Sequence, residues 1–223
     1  MSAVDDMLLY LWGRDQIRPR SRQAEVGPSS AGDCARRVWH EFQQTPRRNK
    51  DCDLLPAIMG TAIHEEIAKA FKAADPWQER YQVEVEVQHG WLKGHVDLFV
   101  IHSGEVVDWK TTTRKNLKYL GSDQQQQQIQ LYGWLLTANG YDVKTVTLVG
   151  IARDGGESDV RVVSYPYDPE KAEKALEGLE AIRDQDDPPA PEKPPALFCK
   201  AYCQFYEPTG AFPDSCPGKV GGR

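Results

Sequence analysis

The sequence has no long apolar run. Its longest unbroken stretch, Met7 to Trp12, is far too short to cross a bilayer, which excludes a membrane-spanning protein. It also has no surplus of positive charge: 27 Lys and Arg against 33 Asp and Glu leave a net charge of −6, so any nucleic-acid site has to be a local basic groove. Arg36-Arg37, Arg47-Arg48-Lys50 and Arg114-Lys115-Lys118 are the clusters that could build one. The first six residues, Met1-Ser2-Ala3-Val4-Asp5-Asp6, have neither the basic start nor the apolar stretch of a secretory signal. That predicts a cytoplasmic protein, and a reducing compartment argues against structural disulfides among its five cysteines. Phosphate loop, GxGxxG and GxSxG patterns are missing, and His64-Glu65-Glu66-Ile67-Ala68 fails HExxH at Ala68. NTPase, dinucleotide enzyme, zincin and α/β-hydrolase readings lose their usual support.

What is present suits one domain of 223 residues with a small appended segment. The periodicity predicts a short helix over 4–14, a polar loop to Gly27-Pro28, and a helix over 30–43 capped by Ser29 or Ser30. A second helix runs from Ala57 to Ala74 and carries Gly60 and His64. Val83, Val85 and Val87 alternate with Glu84 and Glu86 as a strand does; further strands follow at 91–101 and 105–111, then a helix at 123–138. A hairpin over 143–165, a charged helix over 169–184 and a stiff proline-rich linker precede a tail with three cysteines. The expected division is 1–28 as helix and loop, 29–187 as the core including the Cys34 helix, and 188–223 as linker and tail.

A two-residue turn at Ser103-Gly104 would set residues whose numbers sum to 207 opposite one another, Asp97 facing Lys110 and Phe99 facing Asp108. Val96, Leu98, Val100, Val107 and Trp109 then form an apolar face, and Asp97, Asp108 and Lys110 share the other. Asp97 and Asp108 become diagonal neighbours, roughly 7–8 Å apart, able to converge on one ion. A hard dication such as Mg²⁺ or Mn²⁺ would offset their repulsion, and Lys110 could position water or balance phosphate charge. An exposed strand face with Lys110 paired to Asp97 carries the same three letters, so the surroundings decide. Gly60-Thr61-Ala62-Ile63-His64 precedes the triplet, and Gln128 and Tyr132, one helical turn apart, follow it.

The order GxxxH, D, DxK, QxxxY resembles the RecB-like branch of the PD-(D/E)xK nuclease superfamily, and within it the phage-encoded and CRISPR-associated iron-sulfur exonucleases. The resemblance runs from about Ser29 to Pro217. It implies an α/β fold with a mixed central sheet flanked by helices, and a metal-dependent deoxyribonuclease acting on single-stranded DNA ends. By motif position, His64, Asp97, Asp108 and the backbone carbonyl of Trp109 would bind the metal. Lys110 would be catalytic, and Gln128 and Tyr132 would support the site or contact DNA. The first acidic motif reads His95-Val96-Asp97 in place of Pro-Asp. DNA is the implied partner, with recombination or CRISPR-adaptation proteins beside it. The rivals are an inactive adapter in those processes and a zinc-stabilised DNA-binding module.

Cys199, Cys203 and Cys216 crowd the tail while Cys34 lies far upstream, so a metal held by all four needs the two segments brought together. Four thiolates suit either a [4Fe-4S] cluster or structural zinc. One early and three late cysteines resemble the iron-sulfur nucleases, which implies a cluster clasping the N- and C-terminal segments. The gap from Cys203 to Cys216 is wider than in the compact CRISPR-associated pattern, which makes Cys52 the alternative to Cys216, with a spectator role expected for it.

Overall fold

The computed structural model describes Met7, Tyr10 and residues 26–49, 52–191, 196–209 and 215–218; the helix expected over 4–14, apart from Met7 and Tyr10, and the Asp186–Pro195 linker's last four residues lie outside them. The helices are α1 (Ala35–Phe42), α2 (Leu55–Ala74), α3 (Asp123–Ala138), α4 (Pro169–Arg183) and α5 (Ala196–Tyr202). The strands are β1 (Tyr81–His89), β2 (Leu92–Val100), β3 (Glu105–Thr112), β4 (Thr145–Ala152) and β5 (Val160–Pro166). Two compact units result: residues 27–33 and 60–181 form one, and residues 1–26, 34–59 and 182–223 the other. The division therefore groups the Cys34 helix with the tail, where the sequence segments had set it in the core.

The first unit is a single five-stranded sheet in the order β1-β2-β3-β4-β5, antiparallel except for the parallel pair β3 and β4. A parallel pair needs a crossover, and α3 supplies it. Its glutamine run is a good helix former, Asp123 favours the N-terminal dipole, and Gly140, at φ +89, follows the helix at Asn139. Ile129, Leu131, Leu135 and Leu136 of α3 are fully buried. On the other side, Ala68 and Phe71 of α2 pack with Val83, Leu98, Val100, Val107 and Trp109.

Leu98 pairs with Val107 and Val100 with Glu105, so the numbers sum to 205 and the expected register is off by two. The connection is four residues, Ile101 to Gly104, closed by Gly104 at φ +65. Its carbonyl accepts the N–H of Lys144 at 2.8 Å, which ties the hairpin tip to the start of β4. A shift of two keeps each residue on its face, so Asp97 moves from diagonal to directly opposite Asp108. Val96 is buried but outside the α2 cluster. A Cβ on Gly94 would meet Tyr132 and Leu135 of α3, so the buried side of β2 changes helix between Leu98 and Gly94. The turn lies level with Glu84 of β1, which has a left-handed φ of +56.

The helix expected from residue 30 starts at Ala35 instead. Pro28–Ser30 forms a 3-10 turn and Gly32, at φ +69, breaks the path before Cys34 opens α1. In the second unit Val38, His40 and Phe205 are buried, with the His40 and Phe205 rings stacked at 5.2 Å. Arg36 donates to the carbonyls of Pro189 and Ser215. The Asn49 amide donates to the carbonyls of Cys199, Lys200 and Cys203, satisfying acceptors that α5 leaves open at its end. Sequence periodicity missed α5, a seven-residue helix directly after the linker.

Gly104→Ala is expected to destabilise the chain by at least about 1–2 kcal/mol in urea unfolding, because the left-handed backbone alone costs that much. A Cβ there would also overlap the Asp142 carbonyl oxygen. An unchanged midpoint would contradict the tight turn.

Candidate active site

β2 and β3 part after the pair Leu98 and Val107, and Asp97 and Asp108 are the first residues past the fork. There the strand ladder stops, and the Asp97 side chain takes its place: Oδ2 accepts the backbone N–H of Trp109 at 2.9 Å. Asp97 Oδ1 lies 3.3 Å from Nδ1 of His64 on α2, a hydrogen bond when that nitrogen carries the proton. The helix comes this near because Gly60 has no side chain; a Cβ there would sit 2.9 Å from Thr111 Oγ1. GxxxH is thus a close-approach glycine followed, one turn on, by the imidazole it delivers.

Asp108 is held from two sides. Lys110 Nζ lies 2.8 Å from its Oδ2, although off the direction of a good hydrogen bond, and Gln128 Nε2 donates to Oδ1 at 3.4 Å. Lys110 also donates to Gln128 Oε1 at 2.7 Å. Lysine, glutamine and aspartate therefore close a triangle between β3 and α3. Lys110 pairs with Asp108 and not with Asp97, as the expected register would have had it. Tyr132, one turn beyond Gln128, is buried with its ring against Gly94. The Trp109 ring stacks near Phe71 at 6.0 Å on the opposite side of the sheet.

Asp97 and Asp108 are only 5% and 4% exposed, so both carboxylates face each other with little water. Burial pushes the Asp108 carboxyl above its usual range; Lys110 opposes this, Asp97 adds to it by repulsion, and His64 opposes it. Two buried acids and an imidazole form a donor set of hard oxygens and one nitrogen that suits Mg²⁺ or Mn²⁺, with one ammonium beside it. The donors are not gathered into a cage: among the described residues no three His, Cys, Asp or Glu side chains converge as a metal site. The Lys110 ammonium fills the role of counter-cation at Asp108.

Sequence reasoning missed Glu84. The register that pairs Val83 with Leu98 and Val85 with Val96 sets it level with Asp97, and its left-handed φ is a strained state for a non-glycine residue in a strand. Inside Val83-Glu84-Val85-Glu86-Val87 nothing in the spacing distinguishes it from Glu86.

In the other unit, Cys34 precedes α1, Cys199 lies on α5, Cys203 follows it, and Cys216 bridges to Tyr206 as an added strand residue. All five cysteines are free thiols. Burial raises the Cys199 thiol, with Cys216 and Cys34 adding to the effect by charge repulsion. Cys203 is pushed up to about 12, by burial first, with Cys216 and Cys199 contributing. Cys199 thus interacts electrostatically with Cys34 and Cys216, and Cys203 with Cys199 and Cys216, but among the described residues no three of these side chains converge as a metal site. Cys52 feels Arg37, Asp53 and Arg47 and no other cysteine.

The sign of the Asp108 shift gives a test in the chelated, metal-free chain. An acid whose folded pKa is raised loses stability as pH rises from its unfolded value through the folded one, so the ionised form is the destabilising one at pH 7. Asp108→Asn is expected to raise Tm at pH 7 with the gain shrinking toward pH 4. Lys110→Met, which strips the buried acids of their ammonium, should lower Tm at pH 7 by an amount equivalent to about 1–3 kcal/mol. Opposite signs in calorimetry would refute this electrostatic account.

A family model for the PD-(D/E)XK nuclease superfamily matches residues 19–207. No curated protein matches in sequence. Among solved structures, SSO0001 is similar at 19% identity and a TM-score of 0.54, covering 97% of this chain and 98% of that one. An alkaline exonuclease from Laribacter hongkongensis is similar at 11% identity and a TM-score of 0.51, over 73% and 88% of the two chains. A phage-related exonuclease from Haemophilus somnus 129PT has 13% identity and a TM-score of 0.49, over 71% and 92%. The first two likenesses agree with a mixed sheet between helices, and the family model spans both the Asp97 and Asp108 strands. The chain belongs to the PD-(D/E)XK nuclease superfamily.

Proposed function

We propose that the protein is a metal-dependent DNA exonuclease of the RecB-like iron-sulfur kind, acting on single-stranded ends. One observation carries the reading: Asp97, Asp108, Lys110, Gln128 and His64, scattered over 65 positions from 64 to 128, meet at the fork of the sheet. A surface acid-base pair would need neither burial nor the buried glutamine. The structure similar in fold from Laribacter hongkongensis is named an alkaline exonuclease, which supports an exonuclease reading.

His64, Asp97, Asp108 and the Trp109 carbonyl would hold the ion. Bound Mg²⁺ or Mn²⁺ supplies an activated water and neutralises charge on the reacting phosphate. The chain does the rest. Asp97, fixed by the Trp109 N–H and by His64, keeps one carboxylate in a set orientation. Gln128 holds both the Lys110 ammonium and Asp108, so the lysine stays on the site's face. From there Lys110 can orient water by hydrogen bonding and offset negative charge on the phosphorus oxygens.

Cys34, Cys199, Cys203 and Cys216 are the proposed ligands of a [4Fe-4S] cluster. Burial first, and charge repulsion second, oppose thiolate formation at Cys199 and Cys203, and a cationic cluster core would reverse that balance. Hydrogen bonds from Asn49 and Arg36 to tail carbonyls support a clasp between the segment after Cys34 and the tail.

Labelled single-stranded DNA with Mn²⁺ is expected to be degraded from its ends by the wild type. Asp108→Ala and Lys110→Ala should each lower the rate by at least about 100-fold. Binding without cleavage would favour the adapter or the DNA-binding module, and cleavage surviving Asp108→Ala would remove the site assignment.

Anaerobic purification should give a brown protein with broad absorption near ~400 nm, lost in each of the Cys34, Cys199, Cys203 and Cys216 serine variants and kept in Cys52→Ser. Colourless protein loaded with zinc would overturn the cluster.

A further inference from the structure

After β3 the chain enters a 3-10 segment, Arg114–Tyr119, whose three-residue repeat separates its side chains into rows. Arg114, Leu117 and Leu120 form the anchoring row. Leu117 and Leu120 are buried, and their methyls lie 2.9–3.2 Å from where a Gly150 Cβ would be. Arg114 pairs with Asp159 at 2.9 Å, its N–H binds Asp154, and Arg161 donates to the Leu117 carbonyl. Lys115, Lys118 and Tyr119 remain on the exposed rows, Tyr119 at 63% exposure with the Lys118 ammonium 4.9 Å from its ring centroid.

The segment's place relative to the chemistry follows from the register. Gly150 of β4 pairs with Lys110 of β3 in parallel, so both point to the same face, and neighbouring strands lie about 4.8 Å apart. Leu117 and Leu120 therefore cover the sheet one strand over from Lys110, on the side that holds Asp108 and Gln128. Three other cations marked by the sequence are engaged: Arg36 on backbone carbonyls, Arg37 on Glu41, Arg114 on Asp159. Among the described residues no carboxylate pairs with Lys115 or Lys118.

We propose that Lys115, Lys118 and Tyr119 form a platform for single-stranded DNA, the lysines taking backbone phosphates and the tyrosine ring stacking a base of the strand that reaches Lys110. The reading rests on the nuclease assignment above and adds the residues that hold the strand. Two unpaired ammoniums on a chain of net charge −6 complement a polyanion locally. A rigidly mounted, solvent-facing aromatic beside them offers the stacking surface that sequence-tolerant single-strand binding uses.

The test is fluorescence anisotropy with a labelled oligothymidylate in the cleavage-silent Asp108→Asn chain. Lys115→Ala/Lys118→Ala is expected to raise Kd about tenfold at low salt and to flatten the slope of log K against log salt by about 1.4, two phosphates at ~0.7 each. Tyr119→Ala should raise Kd about tenfold and Tyr119→Phe should restore it, since stacking needs the ring alone. Lys144→Ala, at the far end of β4, serves as the control with unchanged Kd. Platform variants within twofold of their parent in Kd and slope, or Tyr119→Phe as weak as Tyr119→Ala, overturn the proposal. If the unsubstituted chain cleaves DNA and the variants bind normally, the platform alone fails. If they weaken binding as expected but the unsubstituted chain never cleaves, the nuclease reading alone fails.

Discussion

Two carboxylates held in one water-poor pocket repel each other, and the surroundings of Asp97 and Asp108 are arranged around that repulsion. Asp97 spends one oxygen on a backbone N–H and sets the other against an imidazole. Asp108 has an ammonium at one oxygen and an amide at the other. No element supplies more than part of this: β2 and β3 bring the acids, α2 the histidine, α3 the glutamine. The fork in the sheet makes it possible, because paired strands at that level would use the Trp109 N–H in their ladder and leave Asp97 nothing to hold.

Close approach between helix and strand is the second requirement, and three glycines meet it. Gly60 lets α2 settle on Thr111, Gly94 lets β2 receive the Tyr132 ring, and Gly150 seats Leu117 and Leu120. Each opens room beside a residue of the candidate site, so the small side chains and the chemistry are two aspects of the same packing. Glu84 adds backbone strain level with Asp97, where β2 exchanges the cover of α2 for that of α3. A strand without that twist would keep Leu98 and Gly94 under the same helix.

Much of this was legible in the residues. Helix and strand periods placed every α-helix and strand of the sheet unit within a few positions but not the 3-10 segment Arg114–Tyr119, and the period of two made the choice of face robust: a register wrong by two residues still kept Asp97, Asp108 and Lys110 together. What escaped depends on non-local contacts or on backbone angles. The four-residue turn follows from Gly104 packing on the start of β4, and the late start of α1 from Gly32 at positive φ. Letters alone could not separate Arg36, which staples two carbonyls, or Arg114, which meets Asp159, from Lys115 and Lys118. Basic residues look alike in a sequence until their partners are known.

The thiols of the second unit pose the same electrostatic problem as the acids of the first. Cys203 and Cys199 are held protonated by burial and by their neighbours, just as Asp108 is pushed toward its neutral form by burial and by Asp97. In the sheet unit Lys110 and His64 offset part of that penalty. Around Cys203 the Phe205 backbone hydrogen bond does so first and the Arg37 charge second, and burial still outweighs them. With so little cationic compensation, Cys199 and Cys203 favour the thiol over the bare thiolate. The two units therefore differ in charge balance: in the sheet unit the chain's own cations offset the buried acids, and at Cys203 burial dominates.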